Sequence, residues 1–259
     1  MPEPDGERPL LEVRSISIHF GGIQALADVS FQVAPGEAVA LVGPNGAGKT
    51  TVFNCISGVS RPDTGSVRLD GHPIDHLSAA RRARLGIKRT FQRLEVFPEL
   101  TVRDHFLVAD RVSRGDGRLW RDLLNMGRPT TAELEAAVRV AGVVGLPDAL
   151  DTPVAALTLG RCRLVELGRA LAGRPRLLLA DEPSSGLDVT ETAELAAVLR
   201  AVQRDEGVTI VLVEHDLDMV AEVVDRAVVL DSGHVIAAGP LSQVIADPVV
   251  RRAYLGRTA

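Results

Sequence analysis

Residues 43–50 read Gly43-Pro44-Asn45-Gly46-Ala47-Gly48-Lys49-Thr50. Three glycines, then lysine and a hydroxyl residue at this spacing, form a loop suited to polyphosphate. The flanks supply the context that such a loop needs. Residues 38–42 are an unbroken apolar run before it, as in a buried strand. Residues 50–58 read as a helix that starts inside the loop. Glycines let the backbone curl closely around phosphate, and the helix start offers free N–H groups and a positive dipole end. Lys49 is placed to act as a point charge on the terminal phosphates. The Thr50 hydroxyl can meet magnesium, and Thr51 can help to hold phosphate.

A second apolar run, Leu177-Leu178-Leu179-Ala180, ends in Asp181-Glu182. Asp181 is placed to join a magnesium shell, directly or through water. Glu182 can polarise the attacking water, as a general base or by orienting it. Pro183 ends the strand. His215 follows a third apolar run over 208–213. It reads either as a sensor of the terminal phosphate or as an ordinary loop histidine, with Asp216 capping the next helix.

Working outward, residues 11–20 alternate as a strand with one slip near Ser15. Gly21-Gly22 breaks it, and a short strand over 29–33 follows. Residues 67–69 and 73–74 flank Asp70-Gly71 as an antiparallel turn. Residues 78–85 suggest a helix and 87–91 a strand. The middle third is mostly helical. Thr101 with Asp104 makes a capping box for a helix through residue 109. Residues 111–127 are polar and irregular. Thr131 caps a helix with Leu134, Val138 and Ala141 on its apolar side, and residues 160–172 form another. Strands and helices then alternate: a strand over 177–181, a helix from Thr190 to near Arg204, a strand over 208–213, a helix over 217–224, and a hairpin around Asp231-Ser232-Gly233. This order predicts an α/β core with antiparallel pieces and an inserted helical lobe.

Composition narrows the function. Of 259 residues, 46 % are hydrophobic, enough for a sizeable core and against global disorder. The acids number 34 and the basic residues 29, a net charge of −5 that argues against nucleic acid as a partner. The basic cluster Arg81, Arg82, Arg84, Lys88 and Arg89 reads as a solvated helix face. Cys55 and Cys162 lack metal spacing. His72 and His76 have a ligand-like spacing, but Pro73 interrupts it, so a surface pair is the expectation. The opening residues 1–8 are polar without an apolar signal core. No apolar stretch reaches the length of a membrane span, so any spanning part would come from a partner.

Taken together, these residues resemble the ATPase subunits of ABC transporters over nearly the whole chain. The resemblance rests on 43–51, Thr90-Phe91-Gln92, Leu157-Thr158-Leu159-Gly160-Arg161, 177–182, Ser185-Gly186-Leu187-Asp188 and His215, in that order. It is similar in finer detail to the LivG-type ATPases of branched-chain amino acid uptake. Arg89-Thr90-Phe91-Gln92 is followed by Val96-Phe97 and Leu100-Thr101-Val102, then Asp122-Leu123-Leu124. Val213-Glu214-His215-Asp216 precedes Met219-Val220, and Asp247-Pro248 and Ala253-Tyr254-Leu255-Gly256 close the run. Uptake of urea, amides or another solute by a related system is the alternative that the resemblance leaves open.

The resemblance implies a P-loop NTPase core with an antiparallel β subdomain, at 1–92 and 173–259, and a helical signature subdomain at 93–172. ATP and Mg2+ are the implied ligands. Phe20 would stack on adenine. Gln92 would link magnesium or the attacking water to the helical lobe. Ser185 and Asp188 would lie at a dimer contact, and His215 near the γ-phosphate. Thr158, Gly160 and Arg161 would close over ATP held by a second ATPase subunit. The signature departs from the usual Leu-Ser-Gly-Gly-Gln: Leu159 replaces a glycine, and Arg161 places a cation that strengthens phosphate contact or disturbs closure. The implied partners are that second subunit, two membrane permease subunits and, indirectly, an extracytoplasmic solute-binding protein. The implied location is the cytoplasmic face of the membrane, and the segment 93–100 would carry motion to the permease. An ATPase of repair or translation, or a regulatory nucleotide-binding module, are the competing readings.

Overall fold

The structure is a computed structural model that describes residues 8–90, 94–114 and 129–255, with residues 254 and 255 described by backbone alone. Two sheets organise it. The antiparallel one contains β1 (Leu11–Phe20), β2 (Ile23–Val33), β4 (Thr64–Leu69) and β5 (His72–Pro73) in the order β2-β1-β4-β5. The other contains β3 (Ala38–Val42), β6 (Ile87–Arg89), β7 (Leu177–Asp181), β8 (Thr209–Val213), β9 (Arg226–Asp231) and β10 (His234–Pro240), in the order β10-β9-β3-β8-β7-β6. All its pairings are parallel except the β9–β10 hairpin.

The two-residue period of a strand sorts these apolar runs onto two faces. Val39, Leu41, Leu177, Leu179, Val211 and Val213 point into a core shared with the antiparallel sheet and helix α1 (Lys49–Ser57). Ala40, Leu178, Ala180, Ile210 and Leu212 point into a second core filled by helices. Both faces are covered, which is why these strands are apolar throughout rather than alternating.

Helices α3 (Val102–Arg114), α4 (Thr131–Val143) and α5 (Leu159–Ala172) pack on one another. Phe106 is nearly fully buried among them, and Arg111 pairs with Glu133 at 2.6 Å across α3 and α4. The remaining helices are α2 (Ala79–Arg84), α6 (Val189–Asp205), α7 (Leu217–Val223), α8 (Leu241–Ala246) and α9 (Pro248–Leu255). Among the described residues, no helix is long and apolar enough to cross a membrane.

Several expectations need correction. Strand β2 starts at Ile23 rather than 29, because the Gly21-Gly22 turn folds residues 23–26 back onto the end of β1, with Phe20 opposite Ile23. The slip near Ser15 is an irregularity in β1 register, with Ser15 at φ 48°. Helix α3 runs on through Arg114, so residues 111–114 are helical. Thr130, not Thr131, caps α4, and Asp188, not Thr190, caps α6; each forms a capping box with the glutamate three residues later. On α4 the buried face is Ala137, Val140 and Ala141, while Val138 is half exposed.

The basic cluster is only partly a solvated face. Arg82 is buried and donates to the carbonyls of Cys55 and Ile56 at the end of α1, at 2.6 and 3.0 Å. Arg89 is also largely buried, against Asp181. Residues 115–128, with the expected Asp122-Leu123-Leu124, lie outside the described residues, as does Gly256.

Candidate functional site

The carboxyl ends of β3, β7 and β8 meet at one edge of the parallel sheet, where ligands bind in open α/β sheets. The loop after β3 is shaped by two glycines that no other residue replaces. A Cβ on Gly43 would lie 2.1 Å from the Leu230 carbonyl oxygen. Gly48 has φ +106°, and a Cβ there would meet Leu26 at 2.7 Å and the Ala25 carbonyl at 2.9 Å. Gly46, in contrast, faces open space.

Lys49 is buried beneath this loop. Its Nζ donates to the carbonyls of Gly43 at 2.7 Å and Pro44 at 3.1 Å. Burial pushes its pKa down, while the charges of Glu182 and Asp181 act in the opposite direction. Lys49 therefore feels both acids of the β7 end. The first i→i−4 bond of α1 runs from Val52 N–H to the Gly48 carbonyl, so the N–H groups of Lys49, Thr50 and Thr51 precede the helical ladder. They form the positive end of the helix dipole. Asn45, Gly46 and Thr50 are exposed, Pro44 and Thr51 half-buried, and Ala47 buried.

Asp181 ends β7 and is nearly buried. Its N–H donates to Thr90 Oγ1 at 3.3 Å, and its Oδ2 accepts from Arg89 at 2.6 Å. Glu182 leaves the strand with φ 47°, a left-handed backbone that costs a non-glycine residue strain. Its N–H bonds the Val213 carbonyl at 2.8 Å, and its Oε1 lies 3.1 Å from His215 Nε2. The acid and the histidine thus touch, although 33 residues separate them in the chain. Asp216 caps α7 as expected, accepting from Asp218 and Met219 N–H groups.

The other expected site residues lie as follows. Phe20 is half exposed at the end of β1. Thr158 caps α5, its Oγ1 accepting from Arg161 N–H. The Gly160 N–H donates to Glu191 of α6 at 3.2 Å. The Arg161 guanidinium turns to Asp148 of its own chain, at 2.8 Å. The Ser185 carbonyl accepts from Arg163 of α5 at 3.2 Å, which joins the loop after β7 to the signature helix. Asp188 caps α6. Gln92 lies outside the described residues. The signature thus stands with the loop after β7, and the phosphate loop with Asp181 and Glu182.

Two groups escaped the sequence reading. Glu214 is buried and accepts from the N–H of Ser184 at 2.8 Å and of His215 at 2.9 Å, tying the loops after β7 and β8 together. Arg89 was grouped with surface cations. An acid just after an apolar strand and a cation at the end of a short one are the signals that could have found them, because buried charges require partners.

Among the described residues, no group of three or more His, Cys, Asp or Glu side chains could hold a metal. One carboxylate, one threonine hydroxyl and an adjoining polyphosphate loop instead fit Mg2+, which retains waters and shares its shell with substrate phosphates.

The chain matches the family described as ABC transporter over residues 26–185. It is 37 % identical over 252 residues to the high-affinity branched-chain amino acid transport ATP-binding protein BraF of Pseudomonas aeruginosa, covering 96 % of this chain and 98 % of that protein. The same identity and coverage hold for the LivG protein of Escherichia coli K12, which carries the same description. An ATP-binding cassette of an ABC transporter, solved in its ADP conformation, superposes with a TM-score of 0.85 at 30 % identity, covering 96 % of this chain and 100 % of that one.

Proposed function

The chain belongs to the ABC transporter family, as an ATP-binding subunit closely related to LivG- and BraF-type ATPases, and on that premise we propose that it powers import of branched-chain amino acids. It is an ABC-type ATPase. The observation that carries the catalytic reading is the meeting of Lys49, Asp181, Glu182 and His215 at one sheet edge, with Glu182 and His215 3.1 Å apart.

In this reading Phe20 stacks on the base. The loop 43–51 wraps the phosphates, with the N–H groups and hydroxyls of Thr50 and Thr51 at the helix start. Lys49 gives up its loop carbonyls to reach the terminal phosphates. Asp181 and Thr50 would hold Mg2+, with Gln92 beside them; the ion supplies charge neutralisation of the phosphate oxygens. Glu182 accepts a proton from, or orients, the attacking water, and His215 holds Glu182 and the γ-phosphate in register. A second ATPase subunit closes over the nucleotide with Thr158, Gly160 and Arg161, for which Arg161 must exchange Asp148 for phosphate. Ser185 and Asp188 line the same contact. Residues 93–172 act as the lobe that passes this motion to two permease subunits, fed by an extracytoplasmic solute-binding protein.

Reconstitution tests the transport reading. Proteoliposomes holding the permease pair, this chain with its second ATPase subunit, and the binding protein should take up labelled leucine in an ATP-dependent manner, and Lys49→Ala should abolish uptake. Uptake of urea or short amides but not leucine would assign the solute to that related class instead.

A further inference from the structure

We propose that Arg89 is a positioning residue that sets the metal carboxylate Asp181 against helix α1, an inference that rests on the reading of Asp181 and Thr50 as the magnesium residues. Arg89 ends β6, and its side chain is 11 % exposed beside an Asp181 side chain that is 9 % exposed. A buried ion pair adds little net stability, because desolvation offsets its attraction. Its role is better sought in what the pair fixes.

Arg89 holds two elements at once. Nη2 donates to Asp181 Oδ2 at 2.6 Å, and Nη1 donates to Asn54 Oδ1 at 2.7 Å. The guanidinium carbon lies 5.6 Å from the centroid of the Phe53 ring, a cation–π contact. Asn54 and Phe53 belong to α1, so the guanidinium has a seat there that does not depend on Asp181. Asn54 also lies four residues after Thr50, on the same face of α1 and one turn further along. The planar fork of Arg89 therefore spans the helix that carries Thr50 and the strand that carries Asp181.

This strut engages only Oδ2 of the carboxylate. Oδ1 accepts no hydrogen bond among the described residues and is the oxygen available to an ion or its water. The Asp181 backbone is fixed from the same side, through its N–H to Thr90 Oγ1 at 3.3 Å. Removing a partner that orients a metal ligand typically costs about 10–100-fold in metal affinity. The positive charge of Arg89 does not oppose binding, because the incoming magnesium–nucleotide complex is net negative. Lysine cannot replace the fork: a point charge satisfies Asp181 or Asn54 but does not hold both in one plane.

The test is equilibrium binding of a fluorescent ATP analogue to the full chain, with magnesium and with EDTA. Wild type should bind more tightly with magnesium. Arg89→Gln should lose about 10–100-fold of that magnesium-dependent gain, with affinity in EDTA essentially unchanged. A merely structural defect would lower both. Asn54→Ala, which leaves the Arg89–Asp181 pair intact but removes the seat on α1, should lose an intermediate part, and Arg89→Lys likewise. Should Arg89→Gln not fold, Asn54→Ala decides: a full magnesium gain in that variant overturns the strut. A wild type that gains nothing from magnesium defeats the metal-site reading and this inference with it. A wild type that gains, beside an Arg89→Gln that gains equally or more, defeats this inference alone.

Discussion

At the scale of single residues, the site depends on backbone positions that tolerate little change. Gly48 combines φ +106° with close approaches to Leu26 and Ala25. Gly48→Ala should destabilise the fold by about 1–3 kcal/mol, read as a lower denaturation midpoint, and should weaken nucleotide binding. His215 is different, because it touches Glu182 only through an imidazole nitrogen. His215→Ala should lower turnover on the order of 10²-fold while weakening ATP binding far less than that; a loss of affinity as large as the loss of turnover would mark it as chiefly a binding residue. The residues of the phosphate loop, Asp181 and Glu182 were legible because each motif is local in sequence. Arg89 was not, because its partner is 92 residues away. Glu214 escaped for the same reason, since Ser184 is 30 residues before it.

At the scale of elements, most helices and strands followed from apolar period; the two helices after β10, α8 and α9, were not anticipated, and the other errors were at ends. Thr131 and Thr190 look like caps, yet the acids sit three residues after Thr130 and Asp188, where a capping box requires them. The signal was present and a neighbouring threonine obscured it. The α4 cap also links to α3. Arg111, first, and then the Thr130 N–H and hydroxyl hold the Glu133 carboxyl at about 2, against an ordinary 4.5. The sign follows directly. The folded carboxyl stays charged while the unfolded one takes up its proton, so this contribution is complete above pH 4.5 and fades as pH falls toward 2. Amide exchange in α4 should therefore accelerate over that window relative to α7, and Glu133→Gln should flatten the difference. Equal acceleration in both helices would contradict this assignment.

At the scale of the whole molecule, one parallel sheet separates two cores. The antiparallel sheet and α1 fill one side, and α3, α5, α6 and α7 contribute to the other. That layering was legible as uninterrupted apolar strands, because only a sheet covered on both faces has that pattern. How the helices sit against each other was not, since it depends on contacts such as Phe106 within a pack of three helices. Phe106→Ala should cost about 3–5 kcal/mol, seen as a lowered melting temperature, with the phosphate loop chemistry preserved in the protein that remains folded. The two sides meet at the edge where β7 delivers Asp181 and Glu182 and α1 delivers Lys49 and Thr50. The most direct test of that meeting is magnesium-dependent phosphate release by the native ATPase with its permease partners, measured beside Glu182→Gln. The account predicts that Glu182→Gln keeps ATP affinity and loses turnover by on the order of 10²–10⁴-fold; equal rates in the two proteins would contradict it.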